Sequence, residues 1–275
     1  MQNAIERWKE LLDARALQMD AAYARLGRTS ADFWDRRASG FYRATRNTAT
    51  SDPLFQLVSQ VVTPDMSVLD VGAGTGRFTL SLASQAKHIT AVEPNASMLD
   101  FLRQDASTQG LTNISYIPMT WQDAPNDLSA DVIICSHVLY PIRDIDAFLT
   151  KLRAATRRIC YIYLRAIHFD ALTSHIWQHF HGEERVLSPA YIHALDVMYD
   201  MGIYASVSIV DTPQTMRYSS LEVAVDEIQE QLILPGDEQT RAELRKILQA
   251  WLVERNGFLT LPLDKLTCGI IQMTP

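Results

Sequence analysis

Between residues 66 and 165, short apolar runs alternate with segments whose apolar residues recur at helical spacing. The runs predict five strands, with the sequences SVLDVG, HITAVEP, NISYIPM, DVIICSH and ICYIYLR. The segments between them carry apolar pairs four residues apart, at Phe78 and Leu82, Met98 and Leu102, and Phe148 and Leu152. Each pair lies on one face of a helix. Because strands that alternate with helices need right-handed crossovers, we expect a parallel sheet with helices on both faces.

The N-terminal region has a helical pattern without strands. Apolar spacing predicts a helix over residues 3–26 that ends before Gly27, and a second helix over the segment SADFWDRRASGFYRAT. Residues 1–50 are therefore expected to form a helical cap on the core. Three aromatic side chains of the second helix either line a hydrophobic lid or bury the cap: Phe33, Trp34 and Tyr42.

The C-terminal part, residues 166–275, follows a predicted core over 51–165 and is less regular. We expect helices over about 170–181, 188–201, 219–232 and 237–255. Ser188 and Ser219 are the predicted N-caps of the second and third of these helices, and Pro189 the first helical residue of the second. Two further strands, YASVSIVD and KLTCGIIQM, bring the sheet to seven.

These elements predict an α/β fold. It is Rossmann-like and doubly wound, with a mostly parallel seven-stranded sheet and helices on both faces. The N-terminal helical cap and a C-terminal helical insertion are additions to that core.

Composition and charge restrict the partners. The net charge is −7 and no run of Lys and Arg is longer than a pair, which disfavours a nucleic acid as substrate. Three widely spaced cysteines in apolar segments indicate reduced core thiols. No segment has the roughly 20 apolar residues of a membrane span, and the N-terminus lacks a signal-peptide pattern. We therefore expect a cytoplasmic protein with no membrane partner.

The first strand leads into a glycine-rich turn, VGAGTG, that is followed by a helix. Such a turn lets a ligand approach the backbone N–H groups at the start of the helix. The dinucleotide fingerprint has the spacing G-x-G-x-x-G. Here Gly72, Gly74 and Gly76 follow G-x-G-x-G, and Arg77 stands where the third glycine should be. This spacing disfavours a dinucleotide.

Two acidic residues accompany the turn. Asp70 precedes Gly72 by two residues, and Glu93 ends the second strand. A carboxylate at Asp70 would repel a pyrophosphate but attract a cation such as an α-ammonium group. A carboxylate at Glu93 can accept hydrogen bonds from both hydroxyls of a ribose. Together they favour a nucleoside with a cationic, amino-acid-like arm.

These segments resemble the successive motifs of class I S-adenosylmethionine-dependent methyltransferases, particularly the small-molecule, type 11/12-like branch. The resemblance rests on VLDVGAGTGRFTLSLA, ITAVEPNASML and DVIICSHVLYPIRDIDAFLTKL and spans residues 64–165. The segment FWDRRASGFYR is similar to the one that closes over the cofactor in that branch. The resemblance implies S-adenosylmethionine as cofactor and a small-molecule methyl acceptor, whose pocket or lid we expect from the C-terminal insertion.

The resemblance also implies residue roles. The glycine turn would wrap the methionine part, the acid after the second strand would bind the ribose, and the residues after it would flank the adenine. The loop MTWQDA would meet the adenine edge. Since Thr120 stands where the family often has an acid, the contact with the adenine amino group passes to Gln122 or Asp123. The implied cofactor-binding residues are Asp70, Gly72, Ala73, Gly74, Gly76, Glu93, Pro94, Asn95, Met98, Thr120, Trp121, Gln122, Ser136 and His137.

Three residues after the fourth strand or at the end of the fifth are candidates for catalysis. His137 and Tyr140 either face the sulfonium or the acceptor, or hydrogen-bond within their loop. Arg165 pairs either with an acceptor carboxylate or phosphate, or with a neighbouring acid.

A histidine-rich segment, HFDALTSHIWQHFHGEE, covers residues 168–184. His175 and His179 are four apart and share a helix face, which is the spacing of a metal pair. Because no H-E-x-x-H pattern or cysteine ligand accompanies them, we favour a partly exposed helix over the active site and expect no metal. If these histidines face the pocket, their expected role is instead to select or orient an acceptor.

Methyl transfer from a sulfonium expels a neutral thioether, so alignment and desolvation suffice unless the acceptor must lose a proton. Three alternatives stay open. A methyltransferase acting on RNA or protein is disfavoured by the acidic balance and by SHVLY in place of N-P-P-[YF]. A nicotinamide-dependent oxidoreductase is disfavoured by Arg77 and Asp70, and a non-catalytic cofactor-binding partner protein by the intact motifs. The acceptor atom and the oligomeric state are not defined by the sequence.

Overall fold

The computed structural model describes residues 3–29, 33–45, 48–214 and 216–275, and only the backbone of 33–37 and 44. The helices are α1 (Ala4–Arg25), α2 (Phe33–Thr45), α3 (Pro53–Ser59), α4 (Arg77–Leu82), α5 (Ala96–Thr108), α6 (Ile145–Ala155), α7 (Phe169–Leu172), α8 (Ser174–His181), α9 (Tyr191–Asp200), α10 (Leu221–Gln231) and α11 (Glu238–Trp251). The strands are β1 (Ser67–Val71), β2 (His88–Val92), β3 (Ile114–Ile117), β4 (Ala130–Ser136), β5 (Thr156–Arg165), β6 (Ser206–Pro213), β7 (Arg217–Tyr218), β8 (Val253–Arg255), β9 (Phe258–Thr260) and β10 (Lys265–Met273).

Within the described ranges, seven strands form one sheet in the order β3-β2-β1-β4-β5-β10-β6. The pairs β3–β2, β2–β1, β1–β4 and β4–β5 are parallel, whereas β10 runs antiparallel to both β5 and β6. The predicted Rossmann-like, mostly parallel sheet of seven strands is confirmed. Strand order reverses between β1 and β4, and a crevice at that reversal is where ligands bind in open α/β sheets.

Apolar side chains from both faces of the sheet form two cores. On one face, α6, α9 and the first half of α1 cover β4 and β5, and Trp8 and Leu12 are buried there. On the other face, α3 and α4 cover β1, β4 and β5. A third core lies outside the sheet, where Ala22 and Tyr23 of α1 pack with α8, α10 and α11. The same helix α1 thus belongs to the sheet core and to the C-terminal helices, while the domain boundaries at 50 and 165 stay predictions.

Several predicted element boundaries are wrong for identifiable local reasons. The helix expected over 170–181 is two helices, α7 and α8, because Thr173 lies between them with φ −104° and ψ 9°. The helix expected from 188 begins at Tyr191 with Ala190 as its N-cap, so that neither Ser188 nor Pro189 is at its start. The hydroxyl that caps α10 belongs to Ser220, whose side chain accepts from the Val223 N–H, and not to Ser219.

A small second sheet was not predicted. Strands β7, β9 and β8 pair in that order, and β8 and β9 form an antiparallel hairpin. The predicted helix over 237–255 ends at Trp251, and the hairpin turn follows at Asn256 and Gly257 with φ +49° and +76°. An Asn-Gly pair between two short runs is the sequence signal of such a turn. No helix in the described part of the chain is long and apolar enough to cross a membrane.

Candidate functional site

The turn between β1 and α4 is a backbone structure that requires glycine. Gly72 and Gly76 have φ +73° and +86°, a region that residues with a side chain rarely adopt. A Cβ on Gly72 would lie 2.3 Å from Val138 Cγ2, and one on Gly76 would lie 2.2 Å from Leu102 Cδ1. The turn is therefore held between the loop after β4 and helix α5, with its backbone close to the crevice.

Glu93 connects the end of β2 to this turn. Its Oε2 accepts a hydrogen bond from the Gly74 N–H at 2.8 Å, and its Oε1 accepts one from the Asn95 N–H at 2.9 Å. The side chain is buried, and burial raises its pKa. Because an ionised carboxylate has about four acceptor positions, both oxygens can accept further hydrogen bonds. Glu93 thus keeps the capacity to bind the two hydroxyls of a ribose.

Asp70 lies buried beneath the turn. Thr79 of α4 donates its hydroxyl proton to Asp70 Oδ2 at 2.6 Å. Burial, together with the nearby Glu93 charge, raises the pKa of Asp70 to about 6. Arg77, the residue in place of the third dinucleotide glycine, donates to Asp52 Oδ2 at 2.8 Å. The turn therefore lies between two buried carboxyl groups, those of Asp70 and Glu93. The Arg77 guanidinium beside it is paired with Asp52.

The residues predicted to flank the adenine surround the same turn. Asn95 is the N-cap of α5, and its Oδ1 accepts from the Met98 N–H at 2.9 Å. Met98 is buried, with Sδ 3.8 Å from where a Cβ of Gly74 would be. Pro94 is exposed and Ala73 is buried. The structure thus brings this group together, although its contacts with a cofactor stay predictions.

Helix α2 packs across the glycine turn. The Tyr42 ring stacks on Phe101 of α5 with centroids 4.4 Å apart, and its hydroxyl donates to the Asp105 carboxylate. The Phe41 ring comes within 3.6 Å of where a Cβ of Gly74 would be. Tyr42 thus anchors the cap on the core. The side chains of Phe33 and Trp34, the other predicted lid aromatics, lie outside the described residues.

The structure agrees with only part of the prediction that the loop after β3 meets the adenine edge. Trp121 is 3% exposed and packs edge-on against Phe148 in the sheet core, with Lys151 Nζ 5.0 Å from its ring. This is the environment of a core residue, so the Trp121 side chain has a packing role and only its backbone remains a candidate for the adenine edge. The Thr120 hydroxyl donates to the Asp123 carboxylate at 2.7 Å. Gln122 is exposed, and its carbonyl oxygen accepts from Lys151 Nζ at 3.1 Å.

The loop after β4 and the end of β5 bring the three candidate catalytic residues together. The Arg165 backbone N–H donates to the Tyr140 hydroxyl oxygen at 2.9 Å, and that hydroxyl lies 3.0 Å from His137 Nδ1. Because the tyrosine oxygen accepts from Arg165, its proton is available to donate to His137 Nδ1. Burial and then the Arg165 charge hold the pKa of His137 well below its usual range. His137 is therefore neutral.

The backbone at this point is strained. His137 directly follows Ser136, the half-buried last residue of β4, and has φ +59°. Its N–H donates to the Tyr163 carbonyl oxygen at 2.8 Å, which holds the residue against β5. A left-handed conformation in a residue with a side chain is uncommon and clusters at functional sites. The strain is consistent with a functional loop but does not assign a role to the imidazole.

Arg165 has no acidic partner within ion-pair distance in the part of the chain that the structure describes. Its positive charge lowers the pKa of His137 and partly offsets the rise that burial gives the pKa of Tyr140. Of the two predicted roles, pairing with a neighbouring acid thus loses support.

The side chains of the histidine-rich segment contact different parts of the protein. His179 contacts Glu243 of α11 at 2.8 Å, and His175 meets the Trp251 ring edge-on. His168, by contrast, packs against Tyr140 with centroids 4.6 Å apart. Among the described residues, no group of three metal-ligating side chains lies close enough together to hold a metal ion.

Sequence reasoning missed the ion pairs of two buried carboxylates, those of Asp52 and Asp170. Asp52 caps α3 with one oxygen and pairs with Arg77 through the other. Asp170 of α7 pairs with Arg185 at 3.0 Å and with Arg15 of α1 at 3.1 Å. The Asp-Pro start of α3 was a readable capping signal. No local pattern joins Arg15 to Asp170, since 155 positions separate them.

Comparison with known proteins agrees with this geometry. Residues 68–158 match the family model described as a methyltransferase domain. An uncharacterized protein of Haemophilus influenzae is 30% identical over 183 residues, 65% of this chain and 66% of that protein. A ubiquinone biosynthesis O-methyltransferase of Rickettsia bellii is 30% identical over 88 residues, 32% of this chain and 36% of that protein. The matches therefore cover about two thirds of the first relative and about a third of the second.

Among solved structures, magnesium protoporphyrin IX methyltransferase from Synechocystis PCC 6803 with bound SAH has the same fold. Its TM-score is 0.53 at 12% identity, over 95% of this chain and all of that one. Residues 68–158 therefore match a methyltransferase domain, and the sheet of the whole chain has the class I S-adenosylmethionine-dependent methyltransferase fold. The cofactor of that family is S-adenosylmethionine, as the turn and its acids predicted.

Proposed function

We propose that the protein transfers the sulfonium methyl group of S-adenosylmethionine, by in-line displacement, to a small-molecule acceptor. The observation that carries this proposal is the pair of buried carboxyl groups, Asp70 and Glu93, on either side of the glycine turn. Burial raises the pKa of both carboxyl groups, so a bound cation or hydrogen-bond donor would stabilise the ionised form of each. A ligand with an α-ammonium group and a ribose supplies what both carboxylates lack.

The crevice residues fit the parts of that cofactor. The turn needs glycine at Gly72 and Gly76, where an added Cβ would collide with Val138 and Leu102, and we infer that the backbone held in this way follows the methionine arm. Glu93 would bind the ribose through oxygens that the Gly74 and Asn95 amides already orient. The bound cofactor supplies an electrophilic methyl group. What the protein must add is alignment of the acceptor and exclusion of water.

A small-molecule acceptor is favoured over a macromolecule by charge. The chain has a net charge of −7, and a polyanion needs a basic footprint that extends over many residues. A single guanidinium suits one anionic group on a small molecule, and Arg165 lies at the crevice end of β5 without an acidic partner among the described residues. Arg165 would then position an acceptor carboxylate or phosphate near His137 and Tyr140.

The test is calorimetric titration of the full chain with S-adenosylhomocysteine and, separately, with NAD. We expect the homocysteine compound to bind and NAD not to bind. Binding of NAD alone would overturn the proposal. A positive result justifies screening small hydroxyl, amine and thiol compounds for methyl transfer.

A further inference from the structure

Strand β6 is a free edge of the seven-stranded sheet. It pairs with β10 on one side, and no strand of the described residues pairs with it on the other. In an antiparallel pair, about half of the backbone N–H and C=O groups of a strand point away from its neighbour. Those of β6 have no backbone hydrogen bond among the described residues. An edge of this kind is able to pair with another strand.

The first five residues of β6, with the sequence SVSIV, lack the features that keep an edge strand from pairing. Such strands commonly carry a lysine, another charged residue or a proline. None of these occurs in SVSIV. The charged residue that follows, Asp211, is paired with Lys265 of β10, and Pro213 is the last residue of the strand. The edge is therefore open over most of its length.

An exposed apolar surface adjoins this edge. Val207 and Ile209 point to the sheet face that α9 covers, because Val207 pairs with Ile271 of that core. The helix leaves them 38% and 53% exposed. Three residues before Val207, Tyr204 packs edge-on against Tyr199 of α9 with centroids 5.6 Å apart, and these two residues are 81% and 66% exposed. The four residues Tyr199, Tyr204, Val207 and Ile209 are here called the edge patch.

The edge patch is large enough for a protein partner. An aromatic side chain carries about 150–250 Å², so the two tyrosines alone expose roughly 300 Å². The two β-branched residues and the open strand edge bring the surface to the order of 600 Å², the small end of what each partner of a stable complex buries. The patch contains no lysine or arginine. It therefore lacks the basic residues that attract an anionic lipid surface.

The sequence of β6 complements itself. A two-fold axis perpendicular to the sheet keeps the same faces of two copies on the same side, so that opposite residues share a face. A register centred on Ser208 places Val207 opposite Ile209 of the partner subunit, and does so twice. A register centred on Ile209 would instead place Val207 opposite Asp211 of the partner subunit. The Ser208 register also keeps the two Asp211 carboxylates about 20 Å apart.

We propose that β6 pairs antiparallel with β6 of a second copy of this chain, in the register centred on Ser208, and that the protein is a homodimer with one continuous sheet. Val207 and Ile209 of both copies then form one apolar cluster, and a tyrosine pair lies towards each end of it. Since β6 is four strands from β1, about 19 Å, the contact leaves the cofactor crevice open. The dimer is therefore independent of the proposed methyl transfer.

The first test is sedimentation of the full chain. We expect the wild type to sediment as two chains. Ile209→Lys should raise the dissociation constant of the dimer at least about 100-fold, because two lysines would then lie within the paired strands. Phe258→Lys, a change at an exposed apolar residue of β9, is the matched control and should stay dimeric. Circular dichroism shows whether both variants are folded.

The second test measures the register by cross-linking. Directly opposite residues of antiparallel strands have Cα atoms about 4.5–5.5 Å apart, which a disulfide can span. Oxidation of Ser208→Cys with diamide should therefore give a covalent dimer. In the control Ser206→Cys, the two thiols would be about 14 Å apart and should not cross-link. The natural cysteines are buried and should not react in the wild type.

A wild type that sediments as one chain would overturn the proposal, and so would a folded Ile209→Lys that stays fully dimeric. Equal cross-linking of the two cysteine variants would overturn the Ser208 register. A monomer that binds vesicles of phosphatidylcholine and phosphatidylglycerol would overturn the dimer in favour of a lipid surface. Loss of S-adenosylhomocysteine binding would contradict only the proposed function, so the two failures are distinguishable.

Discussion

The two sides of the crevice are built in different ways. On the cofactor side, β1, β2 and the turn between β1 and α4 hold two buried acids, within 24 residues of sequence from Asp70 to Glu93. On the other side, beyond the end of β5, the Asp170 carboxylate depends on Arg15 and Arg185, which come from distant segments. The first side is set by backbone conformation and the second by long-range packing. A family can therefore keep one cofactor while its acceptor pockets differ.

The largest expected effect is a loss of stability when the buried Asp170 carboxylate loses a partner. Arg185→Met should lower the free energy of unfolding by about 3 kcal/mol, because it removes a partner from the buried Asp170 carboxylate. Urea unfolding measures the change. Arg255→Met removes an arginine from an exposed pair with Asp264 and should cost at most about 1 kcal/mol. Equal losses in the two variants would show that the Asp170 cluster is not a buried unit.

The next largest effect is expected from a substitution in the glycine turn, on the cofactor side. Gly72→Ala should cost about 2–3 kcal/mol of stability and abolish cofactor binding, since the residue has φ +73° and its Cβ would collide with Val138. Gly110→Ala is the control, because it has φ +68° but open space around it, and should cost about 1 kcal/mol. Similar costs for both would mean that the close approach at Gly72 has no energetic consequence.

A smaller effect is the pH dependence of cofactor affinity that we expect from Asp70. The pKa of Asp70 is raised to about 6 in the free protein. A bound α-ammonium group favours the ionised form, so cofactor affinity should be full above pH 6. It should decline as the pH falls through 6, by at most about tenfold per pH unit. Calorimetry with S-adenosylhomocysteine from pH 5 to 7 measures this, and Asp70→Asn should flatten the profile. A flat wild-type profile would remove Asp70 from the binding site.

The smallest expected effect concerns Arg165. Because it has no acidic partner among the described residues, Arg165→Met should change stability by no more than about 0.5 kcal/mol. Thermal unfolding and S-adenosylhomocysteine binding should both match the wild type. A marked loss of stability would indicate a structural role for the guanidinium and weaken its assignment to the acceptor.

The contrast between the two sides also explains what the sequence could predict. Gly72, Gly74, Gly76 and Glu93 were found because their roles depend on neighbouring residues and on strand ends, which local patterns reveal. The hairpin at Asn256 had a local signal that the apolar spacing of α11 obscured. The Asp170 cluster had none, because its partners meet only after α1 packs on the C-terminal helices. The burial of Trp121 likewise depends on Phe148, which a separate segment of the chain brings into contact.

The central claim is that Glu93 and the glycine turn form a binding site for S-adenosylmethionine. Titration of S-adenosylhomocysteine into Glu93→Ala tests it most directly, with Glu254→Ala, an exposed glutamate of β8, as control. We predict that Glu93→Ala loses about 1–3 kcal/mol of binding free energy, through lost charge-assisted hydrogen bonds to the ribose, and that the control loses nothing. Equal affinity in Glu93→Ala and the wild type would contradict the account.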